Sequence, residues 1–175
     1  MAEVIEHPGR RGGLIAPTLL KPTHDFSRFH SGNEALDDWL KNRALDSEGK
    51  TARTYVMCED NVVIGYYCIA SGSVERAAIP KPIKRHGLPN QVPVAIIGRL
   101  ARDLSYKGKG IGLDLLQHAL HQIVHASETI GIRAILVHAI DDNAAAFWKE
   151  AEFIESPIGS RTFYLPIETI IDALP

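Results

Sequence analysis

The sequence predicts an α/β fold in which a mixed central sheet is flanked by helices, and three observations carry that expectation. The near-continuous apolar run VPVAIIGRLARDL (92–104) is what a central strand covered on both faces looks like. It passes directly into the glycine-rich stretch YKGKGIG (106–112). From Gly110 to Ile130 the apolar positions Leu116, Ala119, Leu120, Ile123, Val124 and Ile130 keep one helical face, which Gly131 would close.

The remaining elements follow in chain order. Residues 1–13, MAEVIEHPGRRGG, carry two glutamates and no apolar core of the secretion-signal kind, so a flexible N-terminal tail is expected there and a single domain over 14–175. LIAPTLL (14–20) reads as an edge strand, where Pro17 is tolerated. In FHSGNEALDDWLKNRALDS, Ser31 and Glu34 have the spacing of a capping box, and Leu36, Trp39, Leu40 and Leu45 recur with helical period, predicting one helix. TARTYVMC and NVVIGYYCIASGSV flank Glu59-Asp60-Asn61 and predict a hairpin rich in β-branched and aromatic residues. Pro80, Pro82 and Pro89 then impose a loop over ERAAIPKPIKRHGLPNQ. After the long helix come a buried-type strand (RAILVHAI), a short helix (NAAAFWKEAEF) and a last strand (SRTFYLPI).

Composition narrows the function classes. With 175 residues, 45% hydrophobic and 23% charged, the chain is long enough for one soluble domain with a real core. It holds no run of about 18 apolar residues, so no transmembrane helix and a cytoplasmic location are expected. Cys58 and Cys68 lie in strand-like runs without a CxxC pairing, which predicts reduced core thiols. The net charge of −2 hides a segregation: residues 76–112 hold eight Lys or Arg against Asp103 alone, a net +7, leaving −9 for the rest. A basic surface for a phosphate-bearing partner and an ordinary solvated stretch both fit that pattern.

A strand, a glycine-rich turn and a long helix together present free backbone N–H groups and a helix dipole to an anion. The stretch is neither a GxxxxGK[ST] P-loop nor a GxGxxG dinucleotide fingerprint. Lys107-Gly108-Lys109-Gly110-Ile111-Gly112 instead resembles the (Q/R)xxGx(G/A) acetyl-CoA loop of the GNAT acyltransferases, with Lys107 supplying the basic first position. A narrower resemblance runs over about residues 14–166. Phe29, Ser31-Gly32-Asn33, Leu36-Asp37-Asp38-Trp39-Leu40, Ala52-Arg53-Thr54, Gly98-Arg99-Leu100-Ala101, Asp103-Leu104-Ser105 and Val137-His138-Ala139 are similar to the TacT-like GNAT toxins of toxin–antitoxin pairs.

That resemblance implies a GNAT fold, acetyl-CoA as acetyl donor, a homodimer, acetylation of the α-amine of aminoacyl-tRNA, and neutralisation by a ribbon-helix-helix antitoxin. It places cofactor contacts at Leu100, Ala101 and Arg102, whose backbone would polarise the thioester carbonyl, at the Lys107–Gly112 loop and at Asp141. Arg53, Lys84, Arg85 and Arg99 become the candidates for RNA phosphates. Acetylation of a small amine or protein amine, and a non-catalytic acetyl-CoA-binding protein, stand as alternatives.

The catalytic acid is where the chain departs from the toxins. Their F-Y-x-x-x-G-F helix places a Tyr where this chain, reading Phe147-Trp148-Lys149-Glu150-Ala151-Glu152-Phe153, has Trp148. An indole N–H donates a hydrogen bond but is no acid of useful pKa. Trp148 could orient the thiolate while water protonates it, Tyr164 in the last strand could substitute, or the enzyme could be weakened. His118, His121 and His125 share a helix face, but no HExxH pattern or acidic ligand set accompanies them, so solvated imidazoles and no metal are expected. His138 fits either a structural or a site role.

Overall fold

The computed structural model describes residues 14–83 and 86–174. Its seven strands form one sheet in the order β1-β2-β3-β4-β5-β7-β6. They are β1 (Leu14–Leu19), β2 (Arg53–Glu59), β3 (Val62–Glu75), β4 (Gln91–Arg102), β5 (Ala134–His138), β6 (Ile154–Glu155) and β7 (Thr162–Pro166). The helices are α1 (Glu34–Asn42), α2 (Ala44–Ser47), α3 (Ile111–Ser127), α4 (Asp142–Glu150) and α5 (Ile167–Ala173). The apolar run is indeed the middle strand, and its parallel partner β5 is reached through the crossover helix α3. Elsewhere β1 with β2, β2 with β3, β5 with β7 and β6 with β7 pair antiparallel.

β1 lies at the sheet edge, and its register with β2 shifts between Ile15 and Thr18, around Pro17, where a ladder hydrogen bond cannot form. The hairpin between β2 and β3 turns on Asp60 (φ 47°) and Asn61 (φ 69°), two residue types that tolerate left-handed backbone and so make a two-residue turn matched to strand twist. The β4–β5 ladder covers Val94–Ile97 against Ala134–Val137, whereas β4 continues to Arg102.

The described residues fall into two compact units. One comprises the chain up to Ile69 together with Arg99–Ala119; Leu20, Phe29, Leu40, Val56, Val63 and Tyr66 form its apolar cluster. The other comprises Ala70–Gly98 and the chain from Leu120; its cluster joins Ile79, Ile83, Val92, Val94, Leu136 and Tyr164. Ile79 and Ile83 are fully buried, so the proline-broken loop is pinned by its apolar residues.

Four local expectations are corrected. The α1 cap is Asn33, whose side chain accepts from the Leu36 N–H at 3.2 Å, and not Ser31. The Ser31 hydroxyl is drawn instead to the buried Asp37 carboxylate at 2.6 Å, a stronger, charge-assisted partner than a neutral amide. The chain also breaks at Arg43 (φ −126°), so Leu45 belongs to the separate α2. Helix α3 ends at Ser127, whose hydroxyl donates to the Val124 carbonyl at 2.6 Å, which leaves Ile130 exposed beyond it and Gly131 without a capping role. Finally, β6 and α5 were not expected; α5 starts after Pro166 and buries Ile167 and Ile170. The proposed tail (1–13) and the pair Lys84 and Arg85 lie outside the described residues.

Candidate active site

The glycine stretch occupies the first unit and is built in three steps. β4 ends at Arg102, a single 3-10 turn (Leu104–Tyr106) redirects the chain, and residues 107–110 lead into α3. Gly108 (φ 78°) and Gly110 (φ 74°) both take left-handed backbone, where a Cβ is unfavourable. Gly112 does not; it is the second residue of α3. The amides of Lys107 and Lys109 close turns onto the carbonyls of Leu104 and Tyr106 at 3.1 and 3.3 Å. The Gly110 carbonyl accepts the first helical bond from Asp114 at 3.2 Å, which leaves the amides of Ile111, Gly112 and Leu113 without an intrahelical acceptor.

A Cβ built on Gly108 would meet nothing within 4 Å, so the bare main chain there faces open space. Open backbone, orphaned first-turn amides and a 17-residue helix behind them suit a diphosphate. Lys109 Nζ lies 4.8 Å from the centroid of the Tyr106 ring. That contact sets one cation at the same loop.

Gly65 on β3 fixes where α3 begins. A Cβ there would sit 3.0 Å from a Leu115 methyl and 3.1 Å from an Ile111 methyl, so only a glycine lets the first turns of the helix lie this close to the strand. Of the other expected cofactor contacts in this unit, Ala101 is buried in the apolar cluster, and Leu100 and Arg102 are half-buried. Residues 103–106 join them to the loop.

The two expected phosphate ligands of the same unit are already engaged. Arg53 pairs with Glu48 at 3.2 Å. Arg99 lies over the Trp39 indole, 4.4 Å from its centroid, and Trp39 stacks on Tyr66. Stacking leaves the edge of a guanidinium to donate, so Arg99 keeps its capacity for phosphate better than Arg53 does.

The expectation for His118 is corrected. It is 3% exposed, and its Nδ1 is hydrogen-bonded to the Tyr67 hydroxyl at 2.6 Å. Tyr67 in turn stacks on Tyr55. Helix α3 buries a polar stripe, Asp114 and His118 one turn apart, where periodicity read from apolar residues had placed water. His125 is exposed. Among the described residues, no group of three or more His, Cys, Asp or Glu is arranged to hold a metal ion.

The second unit holds Asp141, Trp148 and Tyr164. Asp141 caps α4, its carboxylate accepting from the Ala144 N–H at 2.7 Å. That role accounts for an acidic residue at this position without any ligand. Trp148 is 6% exposed, with its ring centroid 5.0 Å from those of both Phe147 and Phe153. Tyr164 is 2% exposed inside the cluster with Ile79, Ile83 and Val92, and burial pushes its hydroxyl above the usual tyrosine range. A phenol closed off in an apolar cluster, and made a weaker acid by it, does not suit protonation of a leaving thiolate. His138 is exposed, with Nδ1 3.1 Å from the Thr162 hydroxyl.

Neither cysteine forms a disulfide, and both are buried. Burial pushes the Cys58 thiol up to about 11, far from a reactive thiolate.

Residues 18–153 match the acetyltransferase (GNAT) family. The chain belongs to that family. The acetyltransferase is 42% identical over 146 residues to the tRNA-acetylating toxin of Mycobacterium tuberculosis, covering 83% of this chain and 87% of that protein. It is 33% identical over 161 residues to the probable toxin TacT of Sinorhizobium fredii, covering 84% and 87%. Among solved structures, a tyrosine-to-phenylalanine variant of KacT superposes with a TM-score of 0.86 at 27% identity, over 93% of this chain and all of that one. AtaT complexed with acetyl-methionyl-tRNAfMet gives 0.83 at 30% identity, over 90% and 97%.

Membership makes acetyl-CoA the acetyl donor, and the open main chain at Gly108 and the first turn of α3 fits its pyrophosphate. Gly65 and the buried character of the polar stripe of α3 are contributions that composition and motif did not single out, and the stacking of Arg99 on Trp39 is a contact that the motif did not show. For Gly65 the signal was available, since an isolated glycine inside a strand pattern marks a close approach. For the stripe it was the i, i+4 spacing of Asp114 and His118.

Proposed function

We propose that this acetyltransferase is a toxin that acetylates the α-amine of aminoacyl-tRNA and so blocks translation. The observation that carries the reading is the 42% identity to a tRNA-acetylating toxin over five-sixths of the chain, together with a glycine loop of the geometry a coenzyme pyrophosphate needs. The described helices include none long and apolar enough to cross a membrane, which is compatible with action in the cytoplasm. Solved relatives are described in complex with the antitoxin AtaR and as KacTA bound to DNA. These complexes support an antitoxin as partner; the resemblance to the TacT-like toxins is our ground for proposing that it is of the ribbon-helix-helix class and that the working form is a homodimer. We read residues 14–175 as one catalytic domain, in keeping with the family match over residues 18–153.

Bound acetyl-CoA supplies an activated thioester whose acetyl group passes to the acceptor amine. The chain's part is to hold and orient. The amides of Gly108, Gly110 and the first turn of α3, with Lys107 and Lys109, take the pyrophosphate. The backbone of Leu100, Ala101 and Arg102 stabilises charge on the carbonyl oxygen. No general base is required, because an α-amine with a pKa of about 7.7 to 8.0 is partly neutral near pH 7. Transfer is direct in a ternary complex, in keeping with a Cys58 thiol too weakly acidic to act as nucleophile. Trp148 packs α4, and water supplies the proton that the thiolate takes.

The test offers the enzyme labelled acetyl-CoA with charged tRNA, with the same tRNA deacylated, and with free amino acids and small amines. Label is expected on charged tRNA and absent from the deacylated form. Equal labelling of small amines would replace this reading with the small-amine acetyltransferase. Coenzyme binding without any transfer would replace it with a catalytically weakened acetyl-CoA-binding protein, which the replacement of an acid by Trp148 specifically favours.

A further inference from the structure

Asp103, the residue that follows β4, is tied to more partners than a turn requires. Its Oδ1 accepts from the Ser105 N–H at 2.9 Å and from the Ser105 hydroxyl at 2.6 Å. Its Oδ2 accepts from the backbone N–H of His30, 73 residues away, at 2.9 Å. The His30 carbonyl answers by accepting from the Leu104 N–H at 2.9 Å. One segment is thus held to another by a reciprocal pair in which a carboxylate does the work of a strand partner.

The His30 segment is itself held from the other side. Asp37, 6% exposed on α1, accepts from the Ser31 N–H at 2.9 Å and the Ser31 hydroxyl at 2.6 Å, with His30 Nδ1 3.4 Å from its second oxygen. At Gly32 (φ 93°) a Cβ would touch the Leu104 side chain at 3.4 Å, so the two segments also meet through packing. All of these groups lie in the first unit. The chain they restrain, Asp103–Tyr106, is the whole connection between β4 and the glycine loop.

We infer that Asp103 is a positioning residue for coenzyme binding: through Ser105 and the His30 segment, it sets the direction in which residues 107–112 present their amides. The inference rests on that loop being the acetyl-CoA site. A loop with two left-handed glycines has little rigidity of its own, and anion binding by backbone amides depends on their convergence. The rigidity comes from the turn that precedes it. A carboxylate is needed because three donors converge on it from two segments, and an amide side chain would set its own NH2 against one of them.

The test compares Asp103→Asn and Ser105→Ala with the wild type by three readouts. Amide hydrogen exchange without coenzyme is expected to speed up over residues 104–112 in Asp103→Asn, while the β2–β3 hairpin stays unchanged. Calorimetry is expected to give acetyl-CoA binding weaker by about tenfold in Asp103→Asn, and by a smaller factor in Ser105→Ala. Steady-state kinetics are expected to put the loss into KM for acetyl-CoA and leave kcat close to wild type. A lowered melting temperature with unchanged exchange at 104–112 and unchanged affinity would overturn the inference and leave Asp103 merely structural. Failure of the underlying reading is separable: Gly110→Val would then bind acetyl-CoA as tightly as the wild type, whereas the exchange experiment needs no ligand at all. Should Asp103→Asn fail to fold, Ser105→Ala, which deletes one hydroxyl, decides by the same readouts.

Discussion

The stretch from Arg99 to Gly112 and the segment from Asp141 to Phe153 are built on opposite plans. In the first, backbone is left open: left-handed glycines, unpaired first-turn amides and nothing over Gly108. In the second, the residues of interest are engaged internally, with Asp141 consumed in a cap and Trp148 packed between Phe147 and Phe153. One segment is shaped to receive a ligand and the other to fill space. On the proposed reading, coenzyme binding is carried chiefly by backbone amides that side chains such as Asp103 hold in place, whereas the proton chemistry that a hydroxyl would supply has no counterpart among the buried groups of α4.

The sharpest way to break this contrast is Gly110→Val. A β-branched residue is strained at φ 74° and would shift the backbone that presents the amides, so acetyl-CoA affinity should fall by about a hundredfold or more in calorimetry, with the circular dichroism spectrum retained. Retained binding would remove the loop from the site. Next in size is Trp148→Ala, expected to cost about 3 to 5 kcal/mol in chemical denaturation because it empties a buried aromatic site. A near-neutral result would mean that the indole is held for chemistry and not for packing.

Tyr164→Phe sharpens the comparison in the other direction. It removes only a hydroxyl buried among aliphatic side chains, so turnover should stay within about twofold of wild type. A large fall in kcat would restore Tyr164 as the acid. The smallest expected effect is on acid stability. Burial raises the Asp103 carboxyl, but hydrogen bonds from the Ser105 hydroxyl, the Ser105 amide and the His30 amide outweigh it and hold the group below its ordinary 3.8. A depressed carboxylate contributes stability that is present above the unfolded-state pKa and is lost as pH falls through the folded one. The stability gap between wild type and Asp103→Asn should therefore be constant from pH 5 upward and narrow below about pH 4. A gap that widened in acid would contradict this account of the carboxylate.

Much of the sheet was legible because its signals are short-range. The apolar run at 92–104, the Asp60-Asn61 turn and the glycine stretch each specify local backbone directly. What could not be read depends on which competing partner wins. Ser31 has the spacing of a cap, yet the buried carboxylate of Asp37 takes its hydroxyl. His118 sits on the polar side of a helical wheel, yet Tyr67 on β3 makes that side an interior. Arg53 and Arg99 read as free cations until Glu48 and Trp39 appear beside them. Asp103 was visible only as a matching residue; its tie to His30 crosses 73 residues, and no pattern in sequence encodes such a distance.

The measurement that bears most directly on the central claim is acetyl transfer to a mixed pool of charged tRNA by the wild type and by Trp148→Tyr. The account expects acetylated aminoacyl-tRNA from the wild type, with the tyrosine variant offering no more than a modest gain, because open backbone and a partly neutral amine suffice for the reaction. A silent wild type together with an active Trp148→Tyr would contradict it and mark this chain as an acetyltransferase disabled at its acid.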